Sequence, residues 1–331
     1  SHGYALVFVE HVAPTSIPLR LCLTFWTYRY NKAVTVNQEG TSLNFAPRNA
    51  PAKQFTFDYV ADEDRTQAEL FEQAGDPITE AAVEGFNCAV IAYGQTGAGK
   101  TFTMQGPDGG EVEGSENMRG LIPRCLGTLF SRIAAKQEGD SFNSYTCRAS
   151  YLQIYNECLS DLLSEDSQGV PVIREDSKRG IFLENIVDEE VTNAEQCYQL
   201  FLRGAQNRKV GSTEMNAESS RSHSVFNLQV ECVSVLASGA RQRRLSSLYL
   251  VDLAGSERQK HTEAHGQRLK EAGSINRSLS ALGNVIKALT NGSMHVPYRD
   301  SKLTFLLKNA LGGNAKCTLV ACISPDERSF D

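Results

Sequence analysis

Short apolar runs alternate along the chain with longer stretches whose apolar residues recur every three or four positions. Residues 5–9 and 55–57 read as strands, and 88–93 form an unbroken apolar run suited to a strand buried on both faces. Further strands are expected at 145–154, 225–230, 248–253 and 317–323. Helical periodicity predicts helices over 66–83, 122–136, 193–206, 269–289 and 302–311, the first interrupted by Pro77 near its middle. In the 269–289 helix, Ile275, Leu279, Leu282, Ile286 and Leu289 form a core stripe, and Asn276, Arg277, Ser280, Asn284 and Lys287 lie away from it. This alternation argues for an α/β fold, a three-layer sandwich. Residues 106–114 (glycine- and acid-rich), 164–169 (polar) and 237–244 (small and basic, a hairpin tip) read as loops. None is long enough to link domains and no repeat is visible, so residues 1–331 read as one domain.

Composition narrows the class. The chain has 331 residues, 41% hydrophobic and 22% charged, which excludes collagen-like and wholly disordered chains. Nine cysteines without a Cys-x-x-Cys pair argue against a disulfide framework or zinc ribbon and fit a reducing compartment such as the cytoplasm. No apolar run reaches the length of a membrane span, and the first residues lack the pattern of a signal peptide, so no membrane partner is expected. A net charge of −6 argues against nucleic acid as a partner. The charge is unevenly spread, however. Residues 258–316 hold ten Lys/Arg against three Asp/Glu, a net of +7, which leaves −13 on the rest. Such segregation suits docking to an acidic surface.

The sharpest chemical signal is Gly94-Gln95-Thr96-Gly97-Ala98-Gly99-Lys100-Thr101. It has the spacing of a phosphate-binding loop, and it follows a buried strand and precedes a helical pattern. The glycines let backbone N–H groups turn inward around phosphate oxygens. Lys100 brings a positive charge to the β- and γ-phosphates, and the Thr101 hydroxyl is a ligand for Mg²⁺. A second apolar run ends in Asp252, followed by Leu253, Ala254 and Gly255. That arrangement places a carboxylate near Mg²⁺ and a backbone N–H, that of Gly255, near the γ-phosphate. A guanine reader of the Asn-Lys-x-Asp type is missing: Asn31-Lys32-Ala33-Val34 lacks the Asp and precedes the loop. The pattern favours ATP over GTP.

A third segment, Asn216-Ala217-Glu218-Ser219-Ser220-Arg221-Ser222-His223, completes a set. Together with the phosphate loop and Asp252-Leu253-Ala254-Gly255-Ser256-Glu257-Arg258, it resembles the kinesin motor domain, the two outer segments looking like switch I and switch II. Tyr151-Leu152-Gln153-Ile154-Tyr155-Asn156-Glu157 is similar to the family's central strand and its exit. The run from His295 through Tyr298, Arg299, Asp300, Ser301, Lys302 and Thr304 to Leu311 and Asn314 resembles its microtubule-binding loop and helix. The resemblance covers roughly residues 54–325. Residues 259–262 and 268–273 look most like the kinesin-twelve class.

The resemblance implies a P-loop NTPase sandwich with a central, mostly parallel, eight-stranded sheet. Its ligands would be ATP and Mg²⁺, and its partner the microtubule, a cytoskeletal polymer of the cytoplasm. It implies that Ser220 meets Mg²⁺ and the γ-phosphate, supported by Ser219 and Asn216. Arg221 and Glu257 would form an ion pair once ATP closes both switches, with Glu257 helping to place the attacking water. It implies microtubule contacts at Leu269, Lys270, Asn276, Arg277, His295, Arg299 and Lys302, and Gly273 stands where many kinesins have Lys. His223 is expected to hold switch I in place, and His261 and His265 to be an exposed loop pair rather than a metal site.

The first fifty residues depart from the family. Where kinesins carry Arg-x-Arg-Pro around adenine, alignment on the proline gives His11-Val12-Ala13-Pro14. Pro14 and Phe102 remain to sandwich the base. The expected activity is microtubule-stimulated ATP hydrolysis coupled to movement. A nucleotide-insensitive tether and an end-depolymerase are the alternatives; no specialised insertion favours the latter. The family's last helix and neck linker would follow residue 331, and any dimer would form through segments outside this sequence.

Overall fold

The computed structural model describes residues 19–24, 34–37, 39–45, 51–107, 116–139, 143–164, 169–177, 180–214, 220–235, 238–257 and 267–324, with backbone alone for 19–21, 23, 34, 116, 211–214 and 267–276. Among them the strands are β1 (Leu19–Thr24), β2 (Val34–Val36), β3 (Ser42–Phe45), β4 (Lys53–Thr56), β5 (Tyr59–Ala61), β6 (Asn87–Gly94), β7 (Asn143–Tyr155), β8 (Cys158–Asp161), β9 (Val172–Asp176), β10 (Gly180–Glu184), β11 (Glu189–Val191), β12 (His223–Val235), β13 (Arg241–Asp252) and β14 (Ala315–Cys322). The α-helices are α1 (Gln67–Ala74), α2 (Asp76–Glu84), α3 (Lys100–Gln105), α4 (Leu121–Gly139), α5 (Ala194–Glu214), α6 (Gln267–Thr290), α7 (Lys302–Leu306) and α8 (Lys308–Leu311).

The main sheet runs β11-β7-β12-β13-β6-β14-β1-β5, with β8 paired to β7 off that path. β5, β1, β14, β6 and β13 are mutually parallel. β12 is antiparallel to both β13 and β7, and β11 to β7. Six of the eight strands on the path point one way and β12 and β11 the other, and β8 is a ninth strand antiparallel to β7. The sheet is therefore mixed rather than mostly parallel, because β12 and β13 are joined by a short hairpin connection that forces antiparallel pairing on that side. A three-stranded sheet, β2-β3-β4, and the hairpin β9–β10 complete the β-structure among the described residues.

Side-chain alternation along the strands makes the three layers. From β6, Cys88, Val90 and Ala92 enter a core with α1, α2, α4 and α5, where Leu70, Ile78, Leu126 and Phe201 are buried. Ala89 and Ile91 face the other way, into a core with Leu282 and Val285 of α6 and Leu303 and Leu307 beyond it. The stripe expected on α6 is confirmed at Leu279, Leu282 and Ile286, with Ser280, Asn284 and Lys287 exposed; the Ile275 side chain lies outside the described set. Burying one such leucine or isoleucine contributes about 1.5–3 kcal/mol, so this stripe fixes the rotation of α6 against the sheet.

Several boundaries moved for local reasons. The 66–83 helix is two helices: a capping box of Thr66 and Glu69 starts α1, Gly75 separates them, and Pro77 sits in the first turn of α2. The basic stretch at 237–244 is less of a tip than expected, because β13 already begins at Arg241 and pairs Val235 of β12. Leu19–Thr24, not singled out from the sequence, is the strand beside β14. The strand expected at 5–9 lies outside the described residues, as does Pro14.

Candidate nucleotide site

The parallel strands β6, β13 and β14 end side by side, with Asp252 opposite Ala92 and Cys322 opposite Gly94. Ligands of open α/β sheets bind at such carboxyl ends. Gly94 has φ 149°, and a Cβ there would lie 2.0 Å from the Cys322 carbonyl oxygen, so only glycine lets β6 turn so close to β14. The chain then loops through Gln95–Gly99, with positive φ at Gly97 and Gly99, into α3.

The residues expected to handle phosphate and metal converge here. The Thr101 hydroxyl donates to Asp252 Oδ2 over 2.9 Å, across 151 positions of sequence. Asp252 is buried, and its Oδ1 has no partner among the described residues. A buried carboxylate oxygen left open beside a threonine hydroxyl fits a hydrated Mg²⁺, which prefers a few oxygen ligands and keeps several waters. Lys100 is also buried, and its Nζ donates to the Gln95 carbonyl at 2.8 Å. Burial pulls its pKa below the usual lysine value, and the Asp252 charge partly offsets that. Its ammonium is thus held inside the loop, where a phosphate would replace a carbonyl as its partner. Phe102 is half-buried after the loop, and its carbonyl accepts from Gln67 of α1 at 2.8 Å.

The segment after Asp252 ties the two switches together. Gly255 N–H donates to the Ser220 carbonyl at 2.8 Å, and Ser256 N–H to the Gly94 carbonyl at 3.0 Å. Glu257 reaches back to the phosphate loop, accepting from Thr96 N–H at 2.8 Å and from the Thr96 hydroxyl at 2.5 Å. Gly255 leaves room for this: a Cβ there would fall 2.2 Å from the Glu257 carboxylate and 2.3 Å from Thr96 Oγ1. Glu257 was expected to pair with Arg221; here its carboxylate is engaged by Thr96. Ser219 and Asn216 lie outside the described residues.

Two central residues went unrecognised, or were only half read, in the sequence. Arg208 of α5 is buried; its Nη1 donates to Asp252 Oδ2 at 3.1 Å and to Ser224 Oγ at 3.0 Å, and its Nη2 to the Ser222 carbonyl at 2.9 Å. A lone Arg in a polar helix segment carries no spacing signal; only the fold brings it to Asp252. His223 was expected to steady switch I, but it reaches further. Ala254 N–H donates to its Nδ1 at 2.9 Å, so the ring proton belongs on Nε2, which donates to Ser278 Oγ of α6 at 2.7 Å. One imidazole thus joins the end of switch I, the segment after Asp252 and the long helix α6.

Burial, with the nearby Arg208 and Lys100 charges, lowers the His223 pKa to about 3. Below pH 6.5 the unfolded chain takes up a proton that the folded state refuses, so stability present above that pH is lost as pH falls. The loss is expected to be about 2 kcal/mol by pH 5. Urea unfolding at pH 7 and pH 5 measures it, and His223→Gln should remove this share of the pH dependence.

Of the residues expected to contact a polymer, Arg277, His295, Arg299 and Lys302 are all exposed. Arg277 Nε also donates to the Asp300 carbonyl at 3.2 Å, which joins α6 to the following loop. Leu269, Lys270 and Asn276 lie on α6 with side chains outside the described set. His261 and His265 lie outside it altogether, and no cluster of metal-binding side chains is found among the described residues. No described helix is long and apolar enough to cross a membrane.

Comparison with known proteins decides the family. The model of the kinesin motor domain matches residues 27–331. The chain belongs to the kinesin motor domain family. It is 47% identical over 308 residues to kinesin-like protein KIN-12B of Arabidopsis thaliana, covering 90% of this chain and 22% of that protein. It is 50% identical over 287 residues to kinesin-like protein KIF15 of Homo sapiens, covering 85% of this chain and 20% of that protein. The chain therefore spans about a fifth of the length of these relatives. A solved structure described as that of a fast kinesin superposes with a TM-score of 0.83 at 36% identity, covering 95% of this chain and 88% of the other. The kinesin-twelve reading agrees with these relatives, and the phosphate loop and the strand ending in Asp252 lie within the matched kinesin motor domain.

Proposed function

We propose that this chain binds ATP with Mg²⁺, hydrolyses it, and couples turnover to binding of and movement along microtubules. The observation that carries the reading is the His223 bridge from Ala254 to Ser278, which connects the nucleotide site to α6. Lys100 and the loop amides would hold the phosphates, and Thr101, Ser220 and Asp252 would surround the cation, which supplies charge neutralisation for phosphoryl transfer. Phe102 would flank the base, and Pro14 with it. Glu257, released from Thr96, would orient the attacking water and meet Arg221. Motion of the Asp252–Glu257 segment would be felt at α6 through His223, so nucleotide state and polymer affinity become coupled free energies. Leu269, Lys270, Asn276, Arg277, His295, Arg299 and Lys302 would face the acidic polymer. The tether alternative, motivated by the missing Arg-x-Arg before Pro14, is disfavoured because the sequence keeps Lys100, Thr101, Ser220, Asp252 and Glu257.

Steady-state ATP hydrolysis against microtubule concentration tests this. Turnover should rise steeply and saturate, and Glu257→Ala should lower the stimulated rate by about a hundredfold or more. A rate that stays basal at saturating microtubules would overturn the coupling.

A further inference from the structure

The polymer-facing segment is not an open row of cations. The Arg299 guanidinium, 74% exposed, lies 2.6 Å from one oxygen of Glu175, and the Lys308 ammonium pairs with the other oxygen of the same carboxylate. Each cation also rests on a ring: Arg299 lies 4.9 Å from the centre of Phe305 and Lys308 5.9 Å from that of Tyr298. Glu175 comes from far away in sequence, on β9. The β9–β10 hairpin is held in place by Ile173 and Ile181, buried in one core with Leu303, Leu306 and Leu307. At Gly180 its backbone comes so near α8 that a Cβ would lie 2.6 Å from Asn309 Nδ2. Glu175 is therefore presented by a fixed element. The paired cations, Lys308 most strongly, hold its carboxyl below the usual range, so it stays charged well below neutrality.

A neighbouring carboxylate differs in kind. Glu157 accepts from Ser301 Oγ at 2.8 Å and from Lys302 N–H at 2.7 Å, at the start of α7. Its φ of 59° is left-handed, a strained conformation for a non-glycine residue. Glu157 anchors backbone and a hydroxyl, and no side-chain cation pairs with it among the described residues. Glu175 does the reverse: both its partners are side-chain cations.

We propose that Glu175 is a built-in competitor that occupies Arg299 and Lys308, and so sets the affinity and salt response of this face for a carboxylate-rich partner surface. The inference rests on the polymer-binding reading above and adds Lys308 to it. Exposed pairs of this sort are weak, so an incoming row of carboxylates displaces Glu175 without a large barrier. The face is attenuated, not blocked. Removing the competitor's charge frees two cations and raises the net positive charge of the surface by one.

The test is Glu175→Gln, measured by co-sedimentation with microtubules and by titration with a polyglutamate peptide. Affinity should tighten about three- to tenfold at low salt for both probes, and the gain should shrink as ionic strength rises. In an Arg299→Gln, Lys308→Gln background the same change should give no gain. Glu157→Gln serves as the contrast and should weaken binding, as expected for a residue that only positions α7. Unchanged or weaker binding of Glu175→Gln would overturn the proposal, because a supporting role gives loss and never gain. A wild-type chain that binds the peptide but not microtubules would sink the polymer reading, while the peptide titration would still decide the role of Glu175.

Discussion

Replacing Lys100 with alanine is expected to lower ATP kcat/KM by about a thousandfold, the scale of losing one preorganised charge in a phosphoryl-transfer site. Lys100 is 8% exposed and its ammonium is already inside the phosphate loop, on the Gln95 carbonyl. Its charge is kept in a buried setting at a cost that burial makes visible in its lowered pKa. A phosphate entering the loop recovers that cost, and the recovery is greatest when charge builds on the transferred group. Alanine removes the charge but leaves Gly97, Gly99 and the loop backbone intact. Fluorescent ADP binding should therefore weaken by much less than turnover falls. Stopped-flow nucleotide binding and steady-state hydrolysis, run on the same variant, separate the two effects. Turnover within about tenfold of wild type would mean that Lys100 is not the phosphate-side charge of this site.

The comparison of sequence with structure has a physical pattern. Local signals were legible. The phosphate loop, the apolar strand ending in Asp252 and the stripe on α6 are all written in consecutive or periodic residues. The 88–93 run and β6 (Asn87–Gly94) differ only by a residue at each end. What the sequence hid was long-range. Arg208 has no motif of its own, and Ser278 reads as one more polar helix residue until the sheet brings His223 against it. Thr96 was legible as part of the phosphate loop, but its hold on Glu257 from 161 positions away was not. Glu175 belongs to a short hairpin whose alternation is too brief to give a strand signal. Leu19–Thr24 carries no turn or spacing signal of its own, and parallel pairing with β14 is what makes it a strand. Side chains whose partners are chosen by topology leave no spacing to read.

Arg208 supports the second large prediction. Arg208→Gln should destabilise the fold by about 3–5 kcal/mol, because it strands a buried carboxylate. The Arg208 and Asp252 side chains are 7% and 3% exposed, so solvent cannot take over the lost charge. The Thr101 hydroxyl remains a partner of Asp252, but a neutral donor offsets only part of an ion's desolvation. Arg208→Lys should fall between the two. It keeps the charge but cannot hold Asp252, Ser224 and the Ser222 carbonyl at once, as the guanidinium fork does. Urea unfolding of the single variants and of the pair with Asp252→Asn forms the deciding cycle. If the pair is the source of the loss, Asp252→Asn should restore much of the stability to the Arg208→Gln chain, although that chain will not turn over ATP. Additive losses would place the cost of removing Arg208 in its hydrogen bonds to Ser224 and Ser222 instead. Arg208 would then serve chiefly to fasten the start of β12, and with it His223, to α5.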